Sequence, residues 1–184
     1  MEKIFFAPEA YYIENFIEDI DISTLEKDFR IDSNWNGHGV FLLKDPESLS
    51  PESKEVLDKY RLKVFSLINN DEEIVRWNSN IQKYKGHDSD WAIFPHADRF
   101  DTYGIENADS DSCYVTKGYI LYFNDDYVGG NVVYVNKNIS IRPKKGMIIV
   151  HSGFEEYKHG VSSVTEGDRF ILTGFVYEKG KTQN

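Results

Sequence analysis

Cysteine is almost absent from this sequence, which has one residue of this type, Cys113, among 184. A single cysteine excludes an intrachain disulfide and any metal site built from several thiolates. Because disulfide-free chains are typical of reducing compartments, this scarcity predicts a cytoplasmic protein. Residues 1–10 also lack the basic start and the unbroken apolar run of a signal peptide, which supports the same expectation.

Positive charge is scarce as well. Lysine and arginine together number 21 against 31 acidic residues, which gives a formal net charge of −10. Such a surface repels phosphate backbones and anionic lipids, so nucleic acid and membranes are disfavoured as partners. No apolar stretch approaches the length of a membrane span. Hydrophobic residues make up 40% of the chain, enough for a compact core, and the length predicts one domain over residues 1–184.

The first part of the chain, residues 1–73, has a mixed and partly helical pattern. Ser50–Pro51 is typical of a helix start, with a capping side chain followed by proline. Apolar residues then recur at helical spacing and predict a helix over Glu52–Ile68, which Asn69–Asp71 would end. A shorter helix is predicted over Ala10–Ile20.

The second part, residues 74–178, consists of short β runs separated by turns that are rich in glycine, asparagine and aspartate. The predicted strands are Ile74–Tyr84, Trp91–Ala97, Tyr114–Phe123, Val132–Val135, Ile139–Ile141, Gly146–His151, Lys158–Val164 and Arg169–Tyr177. This pattern predicts an α+β fold that is mainly β, with the helices on one outer face. From the strand pattern alone, a sandwich, a barrel and a double-sheet jelly roll all remain open.

A His-x-Asp tripeptide, His96-Ala97-Asp98, is the first candidate for metal chemistry. In a strand, residues two apart point to the same face, so this pair could share one ion. His159 would complete a set of two imidazoles and one carboxylate, which suits iron(II) and leaves positions open for a chelating co-substrate and oxygen. By itself, the tripeptide also fits a surface loop. His151 ends an apolar run and is predicted to line the same cavity rather than to bind the metal.

Arg169 is the candidate anchor for an anion. The β runs that carry His159 and Arg169 are predicted to form a hairpin closed near Glu166–Gly167. A guanidinium buried among apolar strand residues needs a partner, and a carboxylate ligand satisfies it with charge-assisted hydrogen bonds. The alternative partner is an aspartate or glutamate of the protein itself.

Five short motifs follow one another in this second part: His96-x-Asp98, Tyr122-Phe123-Asn124, Gly129-Gly130, His159-Gly160-Val161 and Gly167-x-Arg169-Phe170. In this order they resemble the 2-oxoglutarate/iron(II) dioxygenases, and most closely the prolyl 4-hydroxylase-like enzymes. The resemblance covers residues 81–177. It implies a double-stranded β-helix, which is a jelly roll, over residues 74–178, supported by the N-terminal helices of residues 1–73.

The resemblance also implies a chemistry. Members of the family use dioxygen to convert 2-oxoglutarate to succinate and carbon dioxide while they hydroxylate a C–H bond, and ascorbate is implied as a supporting reductant. The implied iron(II) ligands are His96, Asp98 and His159. Arg169 is implied to bind the distal carboxylate of 2-oxoglutarate.

Two tyrosines belong to the implied co-substrate pocket. Tyr122 would donate its hydroxyl to the same carboxylate as Arg169, and Tyr84 would line the pocket. The chain has 12 tyrosines, so ordinary packing is the alternative for both. Collagen-type enzymes carry lysine where Arg169 stands, which disfavours a collagen substrate. No second arginine follows near Phe175, which disfavours nucleobase demethylation.

The implied function is prolyl hydroxylation of a peptide or protein. The alternatives are the same chemistry on another amino acid or a small molecule, a jelly-roll binding module without catalysis, and a cupin-type metalloenzyme. The complete ligand set argues against the inactive module, and the missing second histidine in the first motif argues against the cupin. The polar stretch Arg99–Ser112 is a candidate lid, and a solvated loop with no role is the equal alternative. Its aspartates and the net negative charge predict an uncharged or cationic substrate.

Overall fold

The computed structural model describes residues 1–31, 35–38, 41–68, 74–77, 80–85, 90–99 and 113–179. Within these ranges the helices are α1 (Asp19–Phe29) and α2 (Pro51–Ile68). The strands are β1 (Ile4–Ala7), β2 (Ala10–Ile13), β3 (Trp35–His38), β4 (Phe41–Lys44), β5 (Ile74–Trp77), β6 (Asn80–Lys85), β7 (Trp91–His96), β8 (Cys113–Tyr122), β9 (Val128–Gly129), β10 (Val132–Tyr134), β11 (Ile139–Ile141), β12 (Ile148–Ser152), β13 (His159–Ser162), β14 (Val164–Glu166) and β15 (Asp168–Lys179). Short 3₁₀ turns occur at Pro46–Ser48, Val135–Lys137 and Glu155–Tyr157. Neither of these two helices combines the length and the apolar composition that a membrane span requires.

The strands form two principal antiparallel sheets. The large sheet has the order β1-β2-β12-β8-β15-β6-β4-β3, with β5 also paired to β15. The small sheet has the order β11-β10-β13-β7, and β14 and β9 form a separate two-stranded ribbon. Side chains of both principal sheets meet in one apolar cluster, so the sheets lie face to face. This is the double-sheet jelly roll that the sequence resemblance implies, and that prediction is confirmed.

Two apolar clusters hold the layers together. One lies between the helices and the outer face of the large sheet, and it includes Phe29 of α1, Tyr60 of α2 and Leu121 of β8. The other lies between the two sheets and includes Ile149 of β12 and Val132 of β10. The helices therefore cover the outer face, as predicted, and leave the space between the sheets for a cavity.

Phe29 provides a direct test of the helix-on-sheet layer. Its ring is fully buried, and its centroid lies 5.0 Å from that of Phe123 and 6.1 Å from that of Phe170. We expect Phe29→Ala to lower the free energy of unfolding by about 3–5 kcal/mol, because it leaves a cavity between α1 and the sheet. Urea denaturation measures this loss. Leu62→Ala, at an exposed position of α2, should change the same quantity by less than about 0.5 kcal/mol, and an equally small loss for Phe29→Ala would contradict the prediction.

Helix α2 begins at the predicted residue. Pro51 is its first residue, and the Ser50 hydroxyl accepts a hydrogen bond from the backbone N–H of Ser53 at 3.3 Å. This side-chain cap satisfies one of the N–H groups that the first helical turn leaves open. The prediction of a helix over Glu52–Ile68 is confirmed, while the predicted stop at Asn69–Asp71 lies outside the described residues.

The predicted helix over Ala10–Ile20 is wrong. Ala10–Ile13 is strand β2, which pairs with β1 and β12, and the helix begins later, at Asp19. Asn15, between the two elements, has a φ of 53°, a left-handed conformation that an α-helix of L-residues does not contain. Residues 1–73 therefore supply four strands of the large sheet in addition to the two helices.

Candidate active site

A cavity of about 890 Å³ lies between the two sheets. One wall comes from β7 and β13 of the small sheet, and the other comes from β6, β8, β12 and β15 of the large sheet. His96, Asp98, His159 and Arg169 all line this cavity, as does Tyr84. The structure thus brings together the candidate residues that are far apart in the sequence.

The small sheet places a row of three side chains along its wall. Tyr134 of β10 stands opposite His159 of β13, and His159 stands opposite His96 of β7. Side chains at directly opposed positions of antiparallel strands share one face. The ring centroids are 5.6 Å apart for Tyr134 and His159 and 4.9 Å apart for the two histidines. Strand pairing therefore delivers two neighbouring imidazoles to the cavity.

Backbone carbonyls orient both imidazoles. Nδ1 of His96 lies 2.9 Å from the carbonyl oxygen of Phe94, and Nδ1 of His159 lies 3.2 Å from that of Tyr157. A carbonyl oxygen only accepts hydrogen bonds, so each Nδ1 carries the proton and donates it. Each Nε2 is left with its lone pair, which is the form that binds a metal.

Asp98 contributes a carboxylate from just beyond β7. The strand ends at His96, so a turn, and not the predicted strand alternation, places Asp98 beside it. Oδ1 of Asp98 lies 3.5 Å from His96 Nε2 and 3.9 Å from His159 Nε2. One ligand atom from each of the three residues lies within 4.8 Å of the others. Two imidazoles and one carboxylate gathered on one side of such a point fit a non-haem iron(II) ion.

The electrostatics of this cluster favour the metal-binding forms of Asp98 and His159. Burial alone would raise the pKa of Asp98, but the imidazoles of His159, His151 and His96 hold that pKa well below its usual range. Burial and the neighbouring His151 lower the pKa of His159 to about 3. At neutral pH the carboxylate is therefore ionised and the His159 imidazole is neutral, as metal binding requires.

Arg169 lines the cavity from the large sheet. Its strand, β15, pairs with β6 and β8, whereas the strand of His159 belongs to the small sheet, so the predicted hairpin between the two runs is wrong. The intervening Val164–Glu166 forms β14, which pairs with β9 and lies in neither principal sheet. The sheet assignment thus puts Arg169 and the histidine cluster on opposite walls of the same cavity.

The guanidinium of Arg169 is fully buried and lies 5.0 Å from the ring centroids of both Tyr84 and Tyr122. Its Nη2 donates to the Tyr122 hydroxyl at 3.1 Å, while Nε and Nη1 have no hydrogen-bond partner among the described residues. A buried charge with unsatisfied N–H groups is costly, and an anionic ligand in the cavity would provide the missing acceptors. These donors fit a carboxylate co-substrate.

Both predicted tyrosines lie at this guanidinium. The Tyr122 hydroxyl accepts from Arg169, which leaves its own proton for a ligand, and the Tyr84 hydroxyl donates to Gln82 Oε1 at 2.9 Å. Burial raises the pKa of both hydroxyls above the usual value, so both stay neutral. Tyr84 contributes its ring to the cavity wall, and Tyr122 contacts the guanidinium through its hydroxyl.

Gly130, of the Gly129-Gly130 pair, lies close to the side chain of Arg169. Both residues have positive φ, 80° and 68°, a conformation that other L-residues rarely adopt. A Cβ at position 130 would lie 2.8 Å from the Tyr127 ring and 3.2 Å from Arg169 Cδ. Gly130 therefore leaves room for the Tyr127 ring and for the Arg169 side chain.

Sequence reasoning missed two residues of the site. Tyr134 has its hydroxyl 2.7 Å from His151 Nδ1, and Gly118 lies beside Asp98 and His151. A glycine inside a long apolar strand is a signal of close approach, and that signal was available in the sequence. The prediction that His151 lines the cavity is confirmed.

Most of the predicted lid lies outside the described residues. Arg99 is described, is fully buried, and lies over the rings of Tyr114 and Phe154 at 4.6 and 4.7 Å. Residues 100–112, which include the aspartates used to predict the charge of the substrate, are not among the described residues.

Comparison with known proteins identifies the family. A family model described as the 2OG-Fe(II) oxygenase superfamily matches residues 79–177, more than half of the chain. Among curated proteins, none matches this sequence.

Solved structures share the fold at low sequence identity. The viral collagen prolyl hydroxylase of Paramecium Bursaria Chlorella virus-1, in complex with 2OG, is 18% identical with a TM-score of 0.64, over 95% of this chain and 98% of that one. A Pseudomonas putida prolyl-4-hydroxylase is 18% identical with a TM-score of 0.66, over 94% and 93% of the two chains. A Trichoplax adhaerens prolyl hydroxylase, in complex with a hypoxia inducible factor peptide fragment, is 14% identical with a TM-score of 0.68, over 92% and 84%.

Proposed function

The chain belongs to the 2OG-Fe(II) oxygenase superfamily, and from this premise we propose that it hydroxylates prolyl residues in a peptide or protein. It is a 2-oxoglutarate-dependent non-haem iron dioxygenase, and its cofactors are iron(II), 2-oxoglutarate and dioxygen. Iron(II) and 2-oxoglutarate, when bound, supply the activation of dioxygen, with succinate and carbon dioxide released beside the hydroxylated product.

We assign the iron(II) to His96, Asp98 and His159, and the distal carboxylate of 2-oxoglutarate to Arg169 and Tyr122. One observation carries this assignment. A single cavity between the sheets holds a cluster of two imidazoles and one carboxylate together with a fully buried guanidinium, two of whose nitrogens no described residue satisfies. Asp98, His159 and Arg169 are buried, which strengthens their interactions with charged ligands.

The prolyl substrate is supported by two phenylalanines that line the cavity. Phe94, two residues before His96, lines the cavity and is 76% exposed, and Phe175 also lines it. Proline-rich segments dock on grooves lined by aromatic side chains, so an exposed phenylalanine beside a metal ligand suits a prolyl ring. An uncharged prolyl side chain also agrees with the uncharged or cationic substrate that the acidic sequence predicts.

Incubation of the purified protein with iron(II), 2-oxoglutarate, ascorbate and a library of proline-containing peptides tests this function. We expect succinate formation that depends on the peptide, and a gain of one oxygen on proline by tandem mass spectrometry. Matched peptides with alanine in place of proline should give neither. Oxygen on another residue, or turnover of free amino acids alone, would replace the prolyl assignment, and no succinate with any substrate would indicate a binding module.

Phe94 provides a sharper test of the substrate surface. We expect Phe94→Ala to raise the KM for a substrate peptide about tenfold and to leave the affinity for 2-oxoglutarate unchanged, because the loss of part of an aromatic contact costs about 1–2 kcal/mol. Phe5→Ala is the matched control, since Phe5 is 59% exposed on β1 and does not line the cavity. A peptide KM that is equal in the Phe94 variant, the Phe5 variant and wild type would remove Phe94 from the substrate surface.

We place the protein in the cytoplasm and treat residues 1–184 as one domain. The single cysteine supports a reducing compartment. The one-domain proposal is supported by the contribution of β1 to β4, from the N-terminal part, to the same sheet as β8 and β15.

A further inference from the structure

Imidazoles lie close to both oxygens of the Asp98 carboxylate. Oδ1 faces the imidazoles of His96 and His159, at 3.5 and 3.9 Å from their Nε2 atoms. Oδ2 lies 3.0 Å from Nε2 of His151, which is on β12 of the other sheet. The side chains of Asp98 and His151 are 3% and 1% exposed, so water hardly competes for this contact. The two oxygens of the carboxylate therefore face different sides: Oδ1 faces the His96 and His159 imidazoles, and Oδ2 faces His151.

Tyr134 selects the nitrogen of His151 that carries the proton. Its hydroxyl lies 2.7 Å from Nδ1 of His151, in a buried contact. The Asp98 carboxylate can only accept a hydrogen bond, so Nε2 of His151 donates to it, and Nδ1 accepts from the Tyr134 hydroxyl. A neutral His151 protonated on Nε2 satisfies both contacts. Two hydrogen bonds thus connect Tyr134, on the small sheet, to the Asp98 carboxylate through His151, which is on the large sheet.

Gly118 on β8 leaves the space that the hydrogen bond between His151 and Asp98 needs. It stands directly opposite His151 in the pairing of β8 with β12. A Cβ at this position would overlap Oδ2 of Asp98 and lie 2.5 Å from Nε2 of His151. Glycine in a strand interior weakens the strand, and it commonly marks a place where other groups approach closely. Here those groups are the two partners of one hydrogen bond.

We propose that His151, oriented by Tyr134, is a positioning residue that holds Asp98 as a one-oxygen ligand with Oδ1 toward the iron(II). This inference rests on the proposed function, because it takes Asp98 as an iron ligand. The hydrogen bond on Oδ2 keeps the second oxygen from the metal and fixes the direction of the first. Partners of this kind around metal ligands set ligand orientation and basicity, and their loss lowers metal affinity.

Titration with cobalt(II) tests the proposal without turnover. Cobalt(II) binds the same imidazole and carboxylate donors as iron(II), and its visible absorption reports the number and arrangement of ligands. We expect His151→Phe to weaken cobalt(II) binding about 10- to 100-fold and to change the spectrum, because Oδ2 is released. His151→Gln keeps an N–H group close to the position of Nε2 and should restore most of the affinity.

Two further variants separate positioning from folding. Tyr134→Phe should weaken binding less than His151→Phe, and adding it to His151→Phe should have no further effect, because the hydroxyl acts only through the imidazole. Gly118→Ala should weaken binding at least as much as His151→Phe, since its Cβ displaces both Asp98 Oδ2 and His151. Ser152→Ala is the matched control, because Ser152 follows His151 on β12 and points to the opposite face of the sheet. The Ser152→Ala protein should bind cobalt(II) as wild type does.

The outcomes distinguish this inference from the iron site itself. If wild type binds no cobalt(II), the proposed iron site fails, and the inference fails with it. If wild type binds cobalt(II), Asp98→Ala does not, and His151→Phe matches wild type in affinity and spectrum, the site stands and the positioning role is overturned. If His151→Phe does not fold by circular dichroism, Tyr134→Phe decides: weaker binding supports the proposal, and unchanged binding overturns it.

Discussion

Replacement of Asp98 by alanine should abolish stoichiometric iron(II) binding and all turnover. Asp98 supplies the carboxylate of the cluster, and its Oδ1 lies between 3.5 and 3.9 Å from both histidine Nε2 atoms. Without it, two neutral imidazoles remain, and iron(II) stands near the weak end of the affinity order for divalent metals, so two ligands do not hold it. Metal analysis of protein reconstituted without oxygen measures the loss directly.

Unfolding gives a second readout of the same substitution. A metal at 100 times its Kd raises the free energy of unfolding by about 2.7 kcal/mol, so wild type should gain stability on metal addition and Asp98→Ala should not. Asp58→Ala is the matched control, because that carboxylate is exposed on α2. Zinc, cobalt and nickel should bind wild type and inhibit it. Full iron occupancy in Asp98→Ala would exclude Asp98 as a required iron ligand.

The parts of this molecule that the sequence predicts well depend on local chemistry. The start of α2 follows from Ser50 and Pro51, whose effects act within one helical turn. The turn at Gly129-Gly130 likewise follows from a conformation that only glycine adopts at low cost. The resemblance points to His96, Asp98, His159 and Arg169 because the order of their motifs along the chain is characteristic, and the structure brings all four to one cavity.

The parts that the sequence does not predict depend on contacts between distant strands. Arg169 was expected beside His159 in a hairpin, but the three residues of β14 pair with β9, and the two side chains line opposite walls. Tyr134 and His151 also come from different sheets, so their spacing in the sequence does not predict their hydrogen bond. Short apolar segments such as Ala10–Ile13 fit a helix or a strand until a partner strand is known.

Replacement of Arg169 by alanine should weaken 2-oxoglutarate binding by a factor of tens to thousands while iron(II) stays bound. Loss of a buried charged partner costs on the order of 2–5 kcal/mol, which corresponds to that range of Kd. Iron is retained because Arg169 lines the wall opposite His96 and His159 and contributes no metal ligand. Calorimetric titration of 2-oxoglutarate into the metal-loaded protein without oxygen measures the change, and metal analysis of the same sample verifies the iron.

Two conservative variants assign the effect to the guanidinium. Arg169→Lys keeps the charge but not the planar set of donors, so it should bind 2-oxoglutarate with intermediate affinity. Tyr122→Phe removes one neutral hydroxyl that contacts Arg169 at 3.1 Å, and it should cost about 0.5–1.5 kcal/mol, at most about a tenfold change in Kd. Unchanged 2-oxoglutarate binding in Arg169→Ala would show that the guanidinium does not bind the co-substrate. Arg169 would then be a structural residue of the large sheet.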